Sequence, residues 1–356
     1  MTHRFSQLAL ICALLPAMAP RVGAEAAERP ALPALADLPD APRWELQMLG
    51  VTDDATLEAL RAQAGRRVVT IGVVGQGGMS LSNLRPYMPP GCSFVYRSAP
   101  SFPNCDPHTG THDNGQIRVI LGLLGALGVR ARIASYQPTD DWDTVARDFA
   151  AAGERCDIVV GFQSFWGSKA AMLSEAIASR PRALYVSPYV AYDNRPTSTC
   201  MQAAAWKPWG QGLAHFVTCA PLAKRSDGSV LMPTARDEKD TEIVNFIAPS
   251  FHASGPGGTC PGGATTAGVA AYLYAAAPMR PTPTQVTDWL RRSACVDEAA
   301  LTSAEPFTAE HVEKLRGCIA NMMLPAPAGP RMLDAPGVIS LRGAFELTVS
   351  EAGAAQ

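Results

Sequence analysis

The 356-residue sequence has almost no imbalance of charge: lysine and arginine number 30 against 32 acidic residues, a formal net charge of −2, and charged residues make up only 17% of the chain. Without a basic excess or an acidic tail, binding to nucleic acid through charge is excluded as an organising feature, and so is long-range steering of charged ligands. The apolar run from Leu8 to Ala19 falls short of the ~20 residues that a membrane-spanning helix needs, and Pro16 interrupts it. No internal repeat is visible. No acidic loop offers the alternating oxygen ligands of a calcium site; Asp140-Asp141-Trp142-Asp143 reads instead as a helix start, where the helix dipole favours acids. No metal or other cofactor is expected.

Hydrophobic residues make up 47% of the chain, which excludes a disordered or fibrous protein, and the 30 glycines and 30 prolines point to many tight turns and close backbone approaches. The length fits one large domain or two smaller ones. Residues 1–24 read as an export signal: Arg4, the apolar run, then Val22-Gly23-Ala24 with small residues at the cleavage positions. Loss of Arg4 and Arg21 moves the net charge to −4, and loss of Cys12 leaves eight of nine cysteines, an even number in an oxidising periplasmic or extracellular compartment. Residues 25–43, rich in alanine and proline, read as a linker, too short for a folded pro-domain.

From Val68 to Val74 the run VVTIGVV is apolar and β-branched throughout, as expected of a strand buried on both faces of a parallel sheet. Short strands are also predicted at Val129–Ala134, Asp157–Phe162 and Ala183–Val186, with helices at Gly115–Leu127, Asp143–Ala152 and Lys169–Ser179 between them. Such alternation predicts a three-layer, doubly wound α/β fold with a mostly parallel sheet. Apolar segments Leu213–Cys219 and Ile243–Ala248 flank a charged stretch, Lys224–Glu242, that reads as a solvated hairpin or loop. The Gly255–Gly263 turn leads into Ala264–Ala277, a helix of small residues expected to be central, and Pro281-Thr282-Pro283 opens another at Thr284–Arg292.

Several segments, in order, resemble the subtilisin-like serine peptidases, the subtilases. Trp44, Leu46, Leu49 and Gly50 look like the start of the mature domain, Gly110-Thr111-His112 with Gly115 like the histidine helix, and Asp157-Ile158-Val159-Val160 through Gly167 like the strand and edge that bind an extended peptide. Glu242–Pro249 looks like the strand before the nucleophile loop, Gly258-Thr259-Cys260 with Ala267-Gly268 like that loop and its helix, and Gly329–Ala335 like the closing segment. The resemblance implies one subtilisin-like domain at about 44–350.

The resemblance also assigns a site, and there the chain departs from the pattern. The family's aspartate stands at the end of the first strand, where this sequence has Gly75, or Gln76 with a one-residue shift. That carboxylate fixes the imidazole tautomer of the base, and losing it alone lowers turnover by a factor of roughly 10⁴. Asp113 follows His112 directly, but neighbours at i and i+1 on a helix do not face each other, which makes it a poor substitute. His112 matches the family histidine, whereas His108, His215 and His252 have no motif around them. Cys260 stands where the family has serine; a helix start and a nearby histidine would favour its thiolate, while Gly262 and Gly263 loosen the backbone that must point at an oxyanion. Asn194 is the only asparagine near the expected second oxyanion donor, and it needs an insertion to reach it. Ser164, Phe165, Trp166 and Gly167 match the peptide-binding edge, which would hold a partner peptide or protein segment by strand addition.

Two readings follow. In one, an exported subtilase-like domain has lost proteolysis and binds extended peptide segments. In the other, it is an endopeptidase working through a Cys260-His112 dyad. Short-range disulfides suggest themselves between Cys92 and Cys105, Cys200 and Cys219, and Cys295 and Cys318, leaving Cys156 and Cys260.

Overall fold

The strand Val68–Val74 (β1) forms over the predicted span and lies in the middle of a parallel sheet. The other strands are β2 (Ser93–Tyr96), β3 (Arg130–Tyr136), β4 (Ile158–Gly161), β5 (Leu184–Pro188), β6 (Phe216–Arg225), β7 (Val230–Leu231) and β8 (Phe246–His252). The computed structural model describes residues 32–354 except 66, 76–78, 98–110, 138–141, 162–169, 189–212, 226, 234–244, 253–259 and 323–336; at 111, 112, 142, 170, 171, 252, 260, 261, 320–322 and 354 the description is of the backbone. The export signal and residues 25–31 of the expected linker lie outside it. From Pro33 onward the chain forms one compact unit.

The parallel order is β2-β3-β1-β4-β5-β6-β8, and β7 turns back antiparallel onto β6. That hairpin accounts for the start of the charged stretch; residues 234–244, most of the rest, lie outside the described residues. Nine helices are labelled here: α1 (Asp40–Met48), α2 (Asp54–Gln63), α3 (Thr111–Leu127), α4 (Trp142–Arg155), α5 (Ala170–Ala178), α6 (Cys260–Ala276), α7 (Pro283–Ser293), α8 (Ala309–Met322) and α9 (Leu341–Ala354).

Side-chain alternation along the strands sorts the helices into two layers. Val69, Ile71 and Val73 of β1, with Ile158, Val160, Leu184 and Val186, face a core built from α3 and α6. Val74, Val159 and Tyr185 face the other way, onto Val145, Phe149 and Ala152 of α4 and Leu173 and Ile177 of α5. Gly72 has no side chain because α4 comes close: a Cβ there would lie 3.1 Å from both the Ala152 methyl and the Cys156 sulfur. The three-layer, doubly wound α/β architecture with a mostly parallel sheet is thus present.

Part of the stretch expected to be a linker is ordered. Leu35 and Leu38 are buried, and α1 begins at Asp40, so this part of the arm seals one side of the core. Apolar residues among the alanines and prolines supply the reason. The central helix α6 is buried from Gly262 onward, as its small residues predict, but it starts at Cys260, four residues before the predicted Ala264. Pro261 is tolerated in a first turn because the N–H it lacks has no intrahelical acceptor there.

Candidate active site

All the parallel strands end on one edge of the sheet, and the helices that carry the candidate dyad begin there. Helix α3 carries His112 as its second residue and α6 carries Cys260 as its first. Gly263 places the first turn of α6 on the end of β5, where a Cβ would lie 3.1 Å from Pro188 Cδ, and Gly262 packs over Pro221 and Ala248. The start of α3 lies over β1, two strands away across β4, a separation of about 10 Å at ~4.8 Å per strand. The helices run alongside each other, with Gly268 of α6 against Leu123 of α3. Counting back at ~1.5 Å per residue, about 12 Å to Cys260 and about 16 Å to His112, their starts lie within about one turn of the same height.

At the end of β1, Gly75 donates its N–H to the Tyr136 carbonyl at 3.1 Å, keeping it in line with the strand. The space where its side chain would stand is taken by the carboxylate of Asp113: a Cβ at position 75 would lie 2.9 Å from the Asp113 carboxyl carbon and 3.2 Å from Oδ1, with Oδ2 closer still. Asp113 is buried, only 1% exposed. The i and i+1 geometry that made it look remote from His112 is unchanged, but its carboxylate has reached the strand end, the position the resemblance assigns to the family's acid.

Polar groups among the described residues lie close by. Asn114 Oδ1 accepts the Ser80 N–H at 3.0 Å, and Gln137 Nε2 donates to Ser135 Oγ at 3.2 Å and to the Met79 carbonyl at 3.4 Å. Tyr96 donates its hydroxyl to that same carbonyl and accepts the Leu81 N–H. The buried atoms Asn114 Nδ2 and Gln116 Oε1 have no hydrogen-bond partner among the described residues.

The predicted peptide edge, Ser164, Phe165, Trp166 and Gly167, and the candidate oxyanion donor Asn194 lie outside the described residues, as does His108. His215 is structural: it is buried, its Nε2 is 3.1 Å from the Ile177 carbonyl, and burial pushes its pKa down.

Of the expected disulfides, the Cys295–Cys318 pair does not form, and Cys105 and Cys200, the expected partners of Cys92 and Cys219, lie outside the described residues. Cys92, Cys156, Cys295 and Cys318 carry free thiols. Cys92 donates to the Val129 carbonyl and Cys219 to the Ser187 carbonyl, while Cys295 sits in a backbone bridge to Val338 and Cys318 on α8. Sequence proximity suggested these pairs, but strand and helix packing gave the thiols other neighbours. Cys156 belongs to the core under α4 and α5, on the opposite side of the sheet from α6, and burial pushes its thiol up to about 12.

One buried acid had no sequence signal. Glu45 of α1 is 1% exposed, and its Oε1 accepts the Phe251 N–H at 2.9 Å, tying the arm to the strand that leads into residues 253–259 before α6. Burial raises its pKa to about 8, against the pull of that hydrogen bond.

No protein-family model matches the chain, and no curated protein does. Solved structures do. The subtilase cytotoxin SubAB assembly superposes with a TM-score of 0.53 at 15% identity, over 86% of this chain and 97% of that one. The A subunit of the AB5 toxin from E. coli superposes with a TM-score of 0.50 at 16% identity, over 86% and 99%. The chain therefore has a subtilisin-like fold, and at this identity the likeness extends to the fold alone.

Proposed function

We propose that this protein is an exported thiol peptidase that holds an extended peptide at the carboxyl edge of its sheet and cleaves it with Cys260 as nucleophile and His112 as base. The observation that carries this reading is the convergence of the first turns of α3 and α6 on that edge, each bringing one of the two residues. His112 takes the thiol proton, and the thiolate attacks the peptide carbonyl carbon. The C–N bond breaks as the imidazolium gives its proton to the departing amine, and water, deprotonated by the same imidazole, hydrolyses the thioester. The start of α6 favours the thiolate, and its free N–H groups are donors for the developing oxyanion. Ser164 to Gly167, beyond the end of β4, are the candidate strand for the substrate to pair with.

A second reading, peptide binding without cleavage, is favoured by one observation: the end of β1 is Gly75, so that strand supplies no carboxylate. A peptide-library assay with alkylation of the purified protein decides between them. The peptidase reading expects cleavage at neutral pH and rapid iodoacetamide labelling of Cys260, with cleavage lost in Cys260→Ala and both slowed at least 100-fold in His112→Ala. Peptide binding without cleavage, together with a Cys260 that labels at the same slow rate in wild type and His112→Ala, supports the second reading.

A further inference from the structure

We infer that Asp113 supplies the carboxylate that positions His112, and that position 75 is glycine in order to receive it. This inference rests on the reading of His112 as the base. In the fold this chain resembles, the orienting acid extends from the end of the first strand; here the strand has given up its side chain, and the carboxylate arrives at the same point from the helix.

Three observations support the exchange. The first is steric. With a Cβ at position 75 only 2.9 Å from the Asp113 carboxyl carbon, any side chain there would displace the carboxylate, so the carboxylate keeps this place only while position 75 is glycine. The second is burial: Asp113 is 1% exposed, and a buried carboxylate is costly to keep in place of an apolar residue. The third is fixation. Gly75 is held in register by its bond to Tyr136, and Asn114, next along α3, is tied to the Ser80 backbone, so the two sides of the contact cannot slide apart. Adjacent residues on a helix project about 100° apart, so Asp113 and His112 cannot stack as i, i+4 neighbours do. What brings the acid into play is its destination at the strand end.

Asp113 is on this account a positioning residue. Asp113→Asn, nearly isosteric, is expected to lower kcat/KM by about 10²- to 10⁴-fold without loss of folded structure by circular dichroism. It should also lower the pKa of the His112 imidazole followed by NMR, because the neighbouring negative charge is gone. Gly75→Asp alone should be inactive, since two carboxylates cannot share the space. The double variant Gly75→Asp with Asp113→Ala returns the acid to the strand and should recover at least tenfold over Asp113→Ala, a rescue that a merely structural Asp113 would not give. An active wild type whose Asp113→Asn variant keeps activity within threefold, or a double variant with no recovery, overturns the inference while leaving the peptidase reading intact. If the wild type cleaves nothing, the peptidase reading fails by itself. The His112 titration then decides this one, and an unchanged imidazole pKa in Asp113→Asn overturns it.

Discussion

Glu45 shows how a single buried residue can set the pH response of the whole chain. Its ordinary carboxyl value of 4.5 applies in the unfolded chain, and burial raises it to about 8 in the folded one. Between those values the folded state keeps a proton that the unfolded state has released, so stability falls as pH rises from about 4.5 to about 8 and is level beyond. Glu45→Gln keeps an oxygen for the Phe251 N–H and removes the ionisation. Urea unfolding should show it more stable than wild type by ~1–3 kcal/mol at pH 8, with the difference gone at pH 4. An unchanged pH dependence in the variant would show that the decline originates elsewhere. Neither Glu45 nor the Asp113–Gly75 contact was legible in the sequence, although Gly75 was legible as a missing acid. Local pattern shows which residue types are present, but burial and contact depend on chain segments far apart.

Elements were more legible than sites. β1 was predicted to the residue because a β-branched run buried on both faces has one regular conformation available to it. Helix α7 shows the complementary case of a signal at the terminus: Thr282 accepts the Gln285 N–H while Gln285 Oε1 accepts the Thr282 N–H, and Pro283 opens the first turn. Thr282→Ala removes one half of that reciprocal cap and should cost about 1 kcal/mol in thermal or urea unfolding, with Thr282→Ser retaining most of it. An alanine variant as stable as wild type would mean that the packing of Val286, Trp289 and Leu290 fixes this helix without help from its cap. The elements with no signal in the sequence, α1, α2, β2, α8 and α9, are those whose burial comes from distant partners. Trp44 of α1, for example, donates its indole N–H to the Ala304 carbonyl, 260 residues away.

For the whole molecule, the free thiols define what holds the fold together. Among the described residues Cys92, Cys156, Cys295 and Cys318 are unpaired, so the sheet and its two helical layers do that work without the expected Cys295–Cys318 cross-link. Cys156 and Cys219 are buried, and burial disfavours the Cys156 thiolate. Native protein treated with iodoacetamide near neutral pH should leave these two unmodified, whereas protein unfolded in urea without reductant should label Cys92, Cys156, Cys295 and Cys318. A peptide joining Cys295 to Cys318 in the non-reduced mass map would contradict this picture. Among the described residues no helix is long and apolar enough to cross a membrane.

By itself, the sequence determined the layered α/β fold and the helices that follow His112 and Cys260, although it began each of them four residues late. Alternating strand and helix patterns and glycine-marked turns are local properties, and a right-handed parallel crossover leaves few ways to assemble them. Only the tertiary structure decided that Cys295 and Cys318 stay apart, that part of an arm rich in alanine and proline seals the core, and that the carboxylate missing from the end of β1 is matched by one arriving from α3. Those outcomes depend on which atoms meet across the sheet, and position 75 shows why: the absent side chain is visible in the sequence, but its replacement is visible only where the strand and the helix touch.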